Sequence, residues 1–208
     1  MTFPLDLFVS ALVTLLVVID PPGAAPIFAS LTTRSTPQAR QTMAWRSVGI
    51  ASAILFGFAI IGEPFLRALG ISLDAFRVAG GIMLFLIALD MVFETRVKRR
   101  EERAKAVNDE ETDDVAVFPM AMPMIAGPGS IAAVMLLSQK AHGPLETFAV
   151  FLALAIVLAL TLMALLAAGP IMRRVGAKLE GMITRLLGVI LAALAAQIVI
   201  DGLKGAFG

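Results

Sequence analysis

Hydrophobic positions fall in six long stretches, near residues 5–31, 47–64, 76–93, 115–138, 147–168 and 182–202. At a rise of 1.5 Å per residue, stretches of 18 to 27 residues reach about 27–40 Å, enough to cross a bilayer core with some tilt. Polar and charged clusters separate them, the largest at 94–114. Two of the six are broken internally. Asp20-Pro21-Pro22-Gly23-Ala24-Ala25-Pro26 divides the first, and Ala126-Gly127-Pro128-Gly129-Ser130 divides the fourth. The pieces on either side are too short to span alone, because spanning takes roughly 20 apolar residues. Each break is therefore expected at depth, where open backbone is tolerated only against protein or a cavity.

The breaks sit in matching halves. Pro22-Gly23 and Pro128-Gly129 are 106 residues apart, as are Pro64 and Pro170. Arg77 and Gly80 match Arg185 and Gly188 at a spacing of 108. Three spans per half put the second half upside down relative to the first. The expected fold is thus all-α and integral to the membrane: six helices in two inverted three-helix repeats, with spans 1 and 4 interrupted near mid-membrane. Residues 1–93 form the first repeat, 94–114 a charged cytoplasmic linker, and 115–208 the second repeat, all in one transmembrane domain. Paired interrupted spans are the strongest sequence pointer to a transporter binding site. Small-residue stripes at Gly49, Ala53, Gly57 and at Gly188, Ala192, Ala196 are expected to let helices approach closely.

Composition supports an integral membrane protein. Of 208 residues, 59% are hydrophobic, against about 45–50% in soluble domains, and mean hydropathy is +0.90. The net charge of +1 gives no field for nucleic acid. No cysteine is present, which removes disulfide and thiolate chemistry. Residues 1–6 carry no Lys or Arg, so the first stretch reads as a permanent span rather than a cleaved leader. One side of the membrane receives thirteen Lys and Arg, at 34–46, 96–105 and 173–185. The other receives four, Arg67, Arg77, Lys140 and Lys204. The richer side is expected to be cytoplasmic, which places both termini outside.

The chemistry lies in the breaks. Pro21, Pro22 and Pro26 end one helix, and Pro26 suits the first turn of the next. Gly23 permits backbone angles that other residues resist. Gly127, Pro128 and Gly129 repeat this grammar, with Ser130 where an N-cap would stand. Each new helix start offers N–H groups and a positive dipole end to an anion. Each preceding helix end offers carbonyls to a cation. A pocket of this kind suits a compact zwitterion, and its expected lining is Asp20, Pro21, Pro22, Gly23, Ala24, Gly127, Pro128, Gly129 and Ser130. A carboxyl at mid-span is a functional candidate. Asp20 either holds an ammonium group, a coupling Na⁺ or a proton, or only caps the second half-helix; the two roles are compatible.

Asp90 and Gln197 are further candidates for ion coupling, although Asp90 and Asp201 also suit the membrane interface, and Gln197 an interhelical hydrogen bond. Arg77 and Arg185 suit snorkelling or an internal ion pair. Glu63 beside Pro64 reads as a helix end at the outer surface. Ser30, Thr32 and Ser138 lie near span ends, on a candidate exit path.

Residues 19–28, Ile19-Asp20-Pro21-Pro22-Gly23-Ala24-Ala25-Pro26-Ile27-Phe28, resemble the first signature of the MarC family of bacterial and archaeal inner-membrane proteins. Pro123-Met124-Ile125-Ala126-Gly127-Pro128-Gly129-Ser130-Ile131 looks like its second. Phe76-Arg77-Val78-Ala79-Gly80-Gly81-Ile82 with Ala88-Leu89-Asp90-Met91 is similar to its third span, and Ile200-Asp201-Gly202-Leu203-Lys204 to its C-terminal end. Pro22 departs from the leucine of that first signature, and Ala24 from a more polar residue. The resemblance covers nearly the whole chain. It implies six spans, the cytoplasmic membrane and, from some relatives, transport of small neutral amino acids such as alanine and glycine.

The leading expectation is a secondary transporter working by alternating access around the two broken helices. Its partners are a small zwitterionic substrate, the lipid bilayer and, as an open alternative, further copies of the chain. No cofactor is expected beyond a coupling Na⁺ or H⁺. No phosphate-cradling Gly-x-x-x-x-Gly-Lys-Ser/Thr run is present to suggest direct ATP drive. Efflux of drugs or metabolites and a non-transporting membrane scaffold are the alternatives. Enzymatic activity is not expected. The single histidine, His142, falls in a loop, and Gly129-Ser130-Ile131 is no nucleophile elbow.

Overall fold

The computed structural model describes residues 3–33, 35–93, 115–168 and 177–207, and among them every regular element is a helix. The elements are α1 (Leu5–Ile19), α2 (Pro21–Leu31), α3 (Pro37–Ala68), α4 (Leu73–Val92), an irregular coil at Ala116–Ile125, α5 (Pro128–Lys140), α6 (Pro144–Leu166) and α7 (Ala177–Phe207). Five helical stretches are long and apolar enough to cross a membrane, with Leu5–Leu31 counted as one. Ala116–Ile125 and α5 are bent by 51° at their junction, and the number is six if this pair is counted as one span. The linker 94–114 lies outside the described residues, as do Arg34, Pro170, Arg173 and Arg174 of the charge and repeat arguments.

Local chemistry sets the helix ends. Thr36 starts α3 by accepting the Ala39 N–H at 3.2 Å, with Pro37 in the first turn. α3 therefore begins ten residues before the apolar stretch at 47–64. It also runs through Pro64 to Ala68, so Glu63 and Pro64 do not end it. Proline costs an interior helix one N–H, but the flanking turns continue and Glu63 pairs with Arg67 across it at 2.6 Å. Gly70, at φ 71°, turns the chain after α3, an angle glycine adopts without a Cβ clash. Ser72 caps α4 by accepting the Ala75 N–H at 3.1 Å.

Leu5–Leu31 is the most enclosed of the five candidate spans: 56% of its apolar window is buried, against 22–28% for α3, α4 and α7. α1 packs chiefly on α6, and α2 follows it onto the same helix. α5 is buried along nearly its whole length, from Gly129 to Leu137. The outward faces of α3, α4 and α7 carry exposed Ile60, Phe65, Leu86, Leu186 and Val189, as expected of helices facing lipid.

The most extensive contact joins α4 and α7. They run antiparallel: Gly202 lies against Asp74 and Arg77, Gly81 against Ala195 and Val199, and Gly188 against Ala88 and Met91. A Cβ at Gly188 would sit 3.1 Å from the Ala88 carbonyl oxygen, so backbone meets backbone there. The buried line of α7 is Thr184, Gly188, Leu191, Ala195 and Ile198, whereas Ala196 is exposed. Of the stripe expected on α7, Gly188 lies at the crossing with α4 and Ala192 is partly buried against the core, while Ala196 is not enclosed. The stripe on α3 meets no neighbouring helix among the described residues, because nothing lies within 4 Å of a Cβ built at Gly49 or Gly57.

Candidate functional site

α1 stops where Pro21 and Pro22 withhold two N–H groups. Asp20 turns the backbone into the left-handed region (φ 58°, ψ 66°), which Asp tolerates better than most residues. Its N–H still donates to the Leu16 carbonyl at 3.0 Å, and its own carbonyl accepts from Ala24 at 3.0 Å. Its side chain, 4% exposed, accepts the Gly23 N–H through Oδ1 at 3.1 Å. Asp20 is therefore an N-cap. Gly23 has to be glycine, since a Cβ there would overlap the Asp20 carboxylate.

This geometry corrects one expectation. The first turn of α2 offers no N–H to an anion: Pro21 and Pro22 have none, and Gly23 gives its own to Asp20. Nor does Pro26 begin a helix; it lies inside α2, which starts at Pro21. Pro26 cannot donate to the Pro22 carbonyl one turn back, so that carbonyl loses its helical partner at an exposed residue. The first break is thus an acidic one, a buried carboxyl that caps α2.

The second break has the opposite character. Gly127, extended at φ −78° and ψ 170°, is the N-cap of α5, with no side-chain hydrogen bond to the helix. Ser130 is not the cap; it is the third residue of the helix and is buried. Pro128 moves the start earlier, because its fixed φ already suits a first helical position. Ile131 donates to the Gly127 carbonyl at 3.0 Å. The N–H groups of Gly129 and Ser130 therefore remain as the donors of this helix end. Before the break, Phe118 (φ −128°, ψ 127°) and Met122 (φ −132°, ψ 125°) leave the helical region, each preceding a cis proline, Pro119 and Pro123. Neither proline features in the expected break. The signal was the restriction that proline places on the residue before it.

The two breaks adjoin. A Cβ at Gly129 would overlap Ile87 of α4 and lie 3.6 Å from Val18, two residues before Asp20. Pro21, Gly23, Ala24, Gly127, Gly129 and Ser130 are buried here with Asp20, while Pro22 and Pro128 are exposed. Asp90, half-buried on α4, is one helical turn, about 4.5 Å of rise, beyond Ile87. Gln197 is elsewhere. It donates to Asp201 at 2.7 Å and lines a cavity of about 40 Å³ with Ser10, Thr14 and Lys140. Ser10 and Thr14 lie six to ten residues before Asp20 along α1, roughly 9–15 Å away. The Ser30 and Thr32 hydroxyls donate to carbonyls of their own helix at 2.7 Å. Arg77 forms a partly buried ion pair with Asp74 at 2.6 Å.

The comparisons with known proteins agree along the full length. A model described as MarC family integral membrane protein matches residues 5–207. A UPF0056 membrane protein of Methanocaldococcus jannaschii is 40% identical over 205 residues, covering 97% of this chain and 98% of its own. One of Archaeoglobus fulgidus is 34% identical over 199 residues, with 96% and 93% covered. The UPF0056 membrane protein YvbG of Bacillus subtilis is 34% identical over 205 residues, with 96% and 95% covered. No solved structure matches the chain. The protein is a multi-pass membrane protein and belongs to the MarC family.

Proposed function

We propose that the protein is a secondary transporter of small neutral amino acids in the cytoplasmic membrane, working by alternating access around its two breaks, with both termini outside. The observation that carries this reading is that the two breaks adjoin through Gly129 and Val18, with a buried carboxyl at one and a helix start at the other. Asp20, buried at the first break, supplies a carboxylate for an ammonium group or a coupling Na⁺ or H⁺. Its Oδ1 also caps α2 by accepting the Gly23 N–H. The N–H groups of Gly129 and Ser130, at a helix start beside Val18, suit the substrate carboxylate. Tight packing at Gly129 against Ile87 favours a small side chain.

An inverted repeat is supported by how the helices exchange partners. The Ala116–Ile125 coil packs on α3 as α1 packs on α6, and α5 packs on α3 as α2 packs on α6. The third helices of the two halves, α4 and α7, run antiparallel, as inversion requires. Such repeats rock against each other around a fixed site. The reading includes no enzymatic step and no nucleic acid. The test is uptake of labelled glycine, alanine and serine into proteoliposomes under an imposed substrate gradient, with protein-free liposomes as baseline. Saturable uptake supports the transporter. Flux at baseline for all three, with the protein folded, supports the scaffold reading instead.

A further inference from the structure

We infer that the protein has a second zwitterion site, separate from the breaks, in the pocket between the C-terminal ends of α3 and α5. This inference rests on the amino-acid reading above. The pocket has a volume of about 500 Å³, within the roughly 300–1,000 Å³ typical of small-molecule sites. Its floor is closed where Met135 of α5 packs on Gly62 of α3, the Met135 Cε lying 2.8 Å from a Cβ built at Gly62.

The lining supplies both charges and unmet hydrogen-bonding groups. Glu63 and Arg67 of α3 face the pocket, joined Oε1 to Nη2 at 2.6 Å and partly exposed. From α5 come Ser138 and Gln139. The Ser138 Oγ and both amide atoms of Gln139 are buried with no protein hydrogen-bond partner among the described residues. A buried polar atom without a partner is costly, so three together beside one pocket favour any occupant that both donates and accepts. An exposed ion pair contributes little to stability, so Glu63 and Arg67 re-pair readily with a ligand. An amino carboxylate fits the set: its ammonium goes to Glu63 and its carboxylate to Arg67, and a turn of the Gln139 side chain toward the pocket would bring its enclosed Oε1 and Nε2 to the same two groups. α5 joins this pocket to the break, since Gly129 and Ser130 begin the helix that Ser138 and Gln139 end. Nine residues of rise separate the two ends, about 13.5 Å. The pocket is an antechamber on the side poor in Lys and Arg.

A zwitterionic lipid headgroup shares the ammonium and oxyanion, so the test separates the two sources. L-Alanine is titrated calorimetrically into the purified full chain in lipid-free detergent, then in nanodiscs of phosphatidylethanolamine or phosphatidylglycerol. Two equivalents per chain are expected for the wild type in detergent and in both lipids. Gln139→Met keeps the shape and removes two orphaned atoms. It should bind one equivalent, melt at a higher temperature than the wild type without ligand, and raise the uptake KM about fivefold or more at unchanged maximal rate. A purely structural Gln139 would instead lower the melting temperature and leave KM alone. Glu63→Gln with Arg67→Gln, at the protein surface, should also bind one equivalent. One equivalent in the wild type, with saturable uptake that neither variant alters, overturns the antechamber and leaves the transporter standing. Neither binding nor uptake overturns both. Two equivalents in phosphatidylglycerol but one in phosphatidylethanolamine assigns the pocket to the lipid headgroup and overturns the amino-acid occupant.

Discussion

At Asp20 the helix cap and the buried charge reside in one side chain, and substitution separates them. Asparagine caps as well as aspartate and tolerates the left-handed backbone seen at φ 58°. Asp20→Asn should therefore keep thermal stability within about 1 kcal/mol of wild type. Asp20→Ala loses the cap, at about 0.5–2 kcal/mol, and places a Cβ residue poorly suited to that angle there, at about 1–2 kcal/mol. Chemical or thermal denaturation of the two variants checks the ordering. Gly129 gives a second residue-level prediction, because its missing Cβ leaves space taken by the Ile87 Cδ1. Gly129→Ala should destabilise, Ile87→Val should cost little, and the double variant should cost less than the sum by about 0.5–3 kcal/mol. Strict additivity would show that α4 does not pack on the second break. The capping role of Asp20 was legible in the sequence, since aspartate is a favoured N-cap and its side chain does accept the Gly23 N–H. The full use of the α2 donors was not. It depends on the Gly23 N–H turning back to the Asp20 side chain, which only the local backbone path decides.

At the scale of elements, apolar stretches located the spans well and their ends poorly. α3 extends to Pro37–Ala68 because capping by Thr36 and helix-forming polar residues carry a helix beyond its apolar part, and hydropathy does not register either. Ser130 reads as a cap by residue type, but the proline two residues earlier moved the helix start. The irregularity at Phe118 and Met122 had its signal in the following prolines, masked by an otherwise apolar segment. The stripe on α7 was half-legible: Gly188 marks the crossing, but the buried line drifts to Leu191 and Ala195 because 3.6 residues per turn do not hold a strict four-residue spacing. The register of α4 against α7 is open to a direct check, helped by the absence of native cysteine. Gly81→Cys with Val199→Cys should form a disulfide under mild oxidation. Gly81→Cys with Gly188→Cys should not, because Gly188 lies against Ala88 and Met91, at least about 10 Å further along α4.

For the whole molecule, orientation and repeat follow from features spread over the chain, part of which lies in 94–114 and 169–176, beyond the described residues. Single cysteines provide the readout. Phe3→Cys and Phe207→Cys should react with a membrane-impermeant thiol reagent added to intact cells, whereas Thr36→Cys should react only after the membrane is opened. The reverse pattern would invert the orientation and put the α3–α5 pocket on the cytoplasmic side. The central claim is that substrate crosses at the paired breaks under the control of the Asp20 charge. It is tested most directly by uptake of labelled alanine into proteoliposomes of wild type and Asp20→Asn, each with a Na⁺ gradient, a proton gradient or neither. The account predicts saturable, gradient-stimulated uptake by the wild type, and loss of the stimulation in an Asp20→Asn protein that remains folded. Uptake by that variant at the wild-type rate, with the same ion dependence, would contradict it.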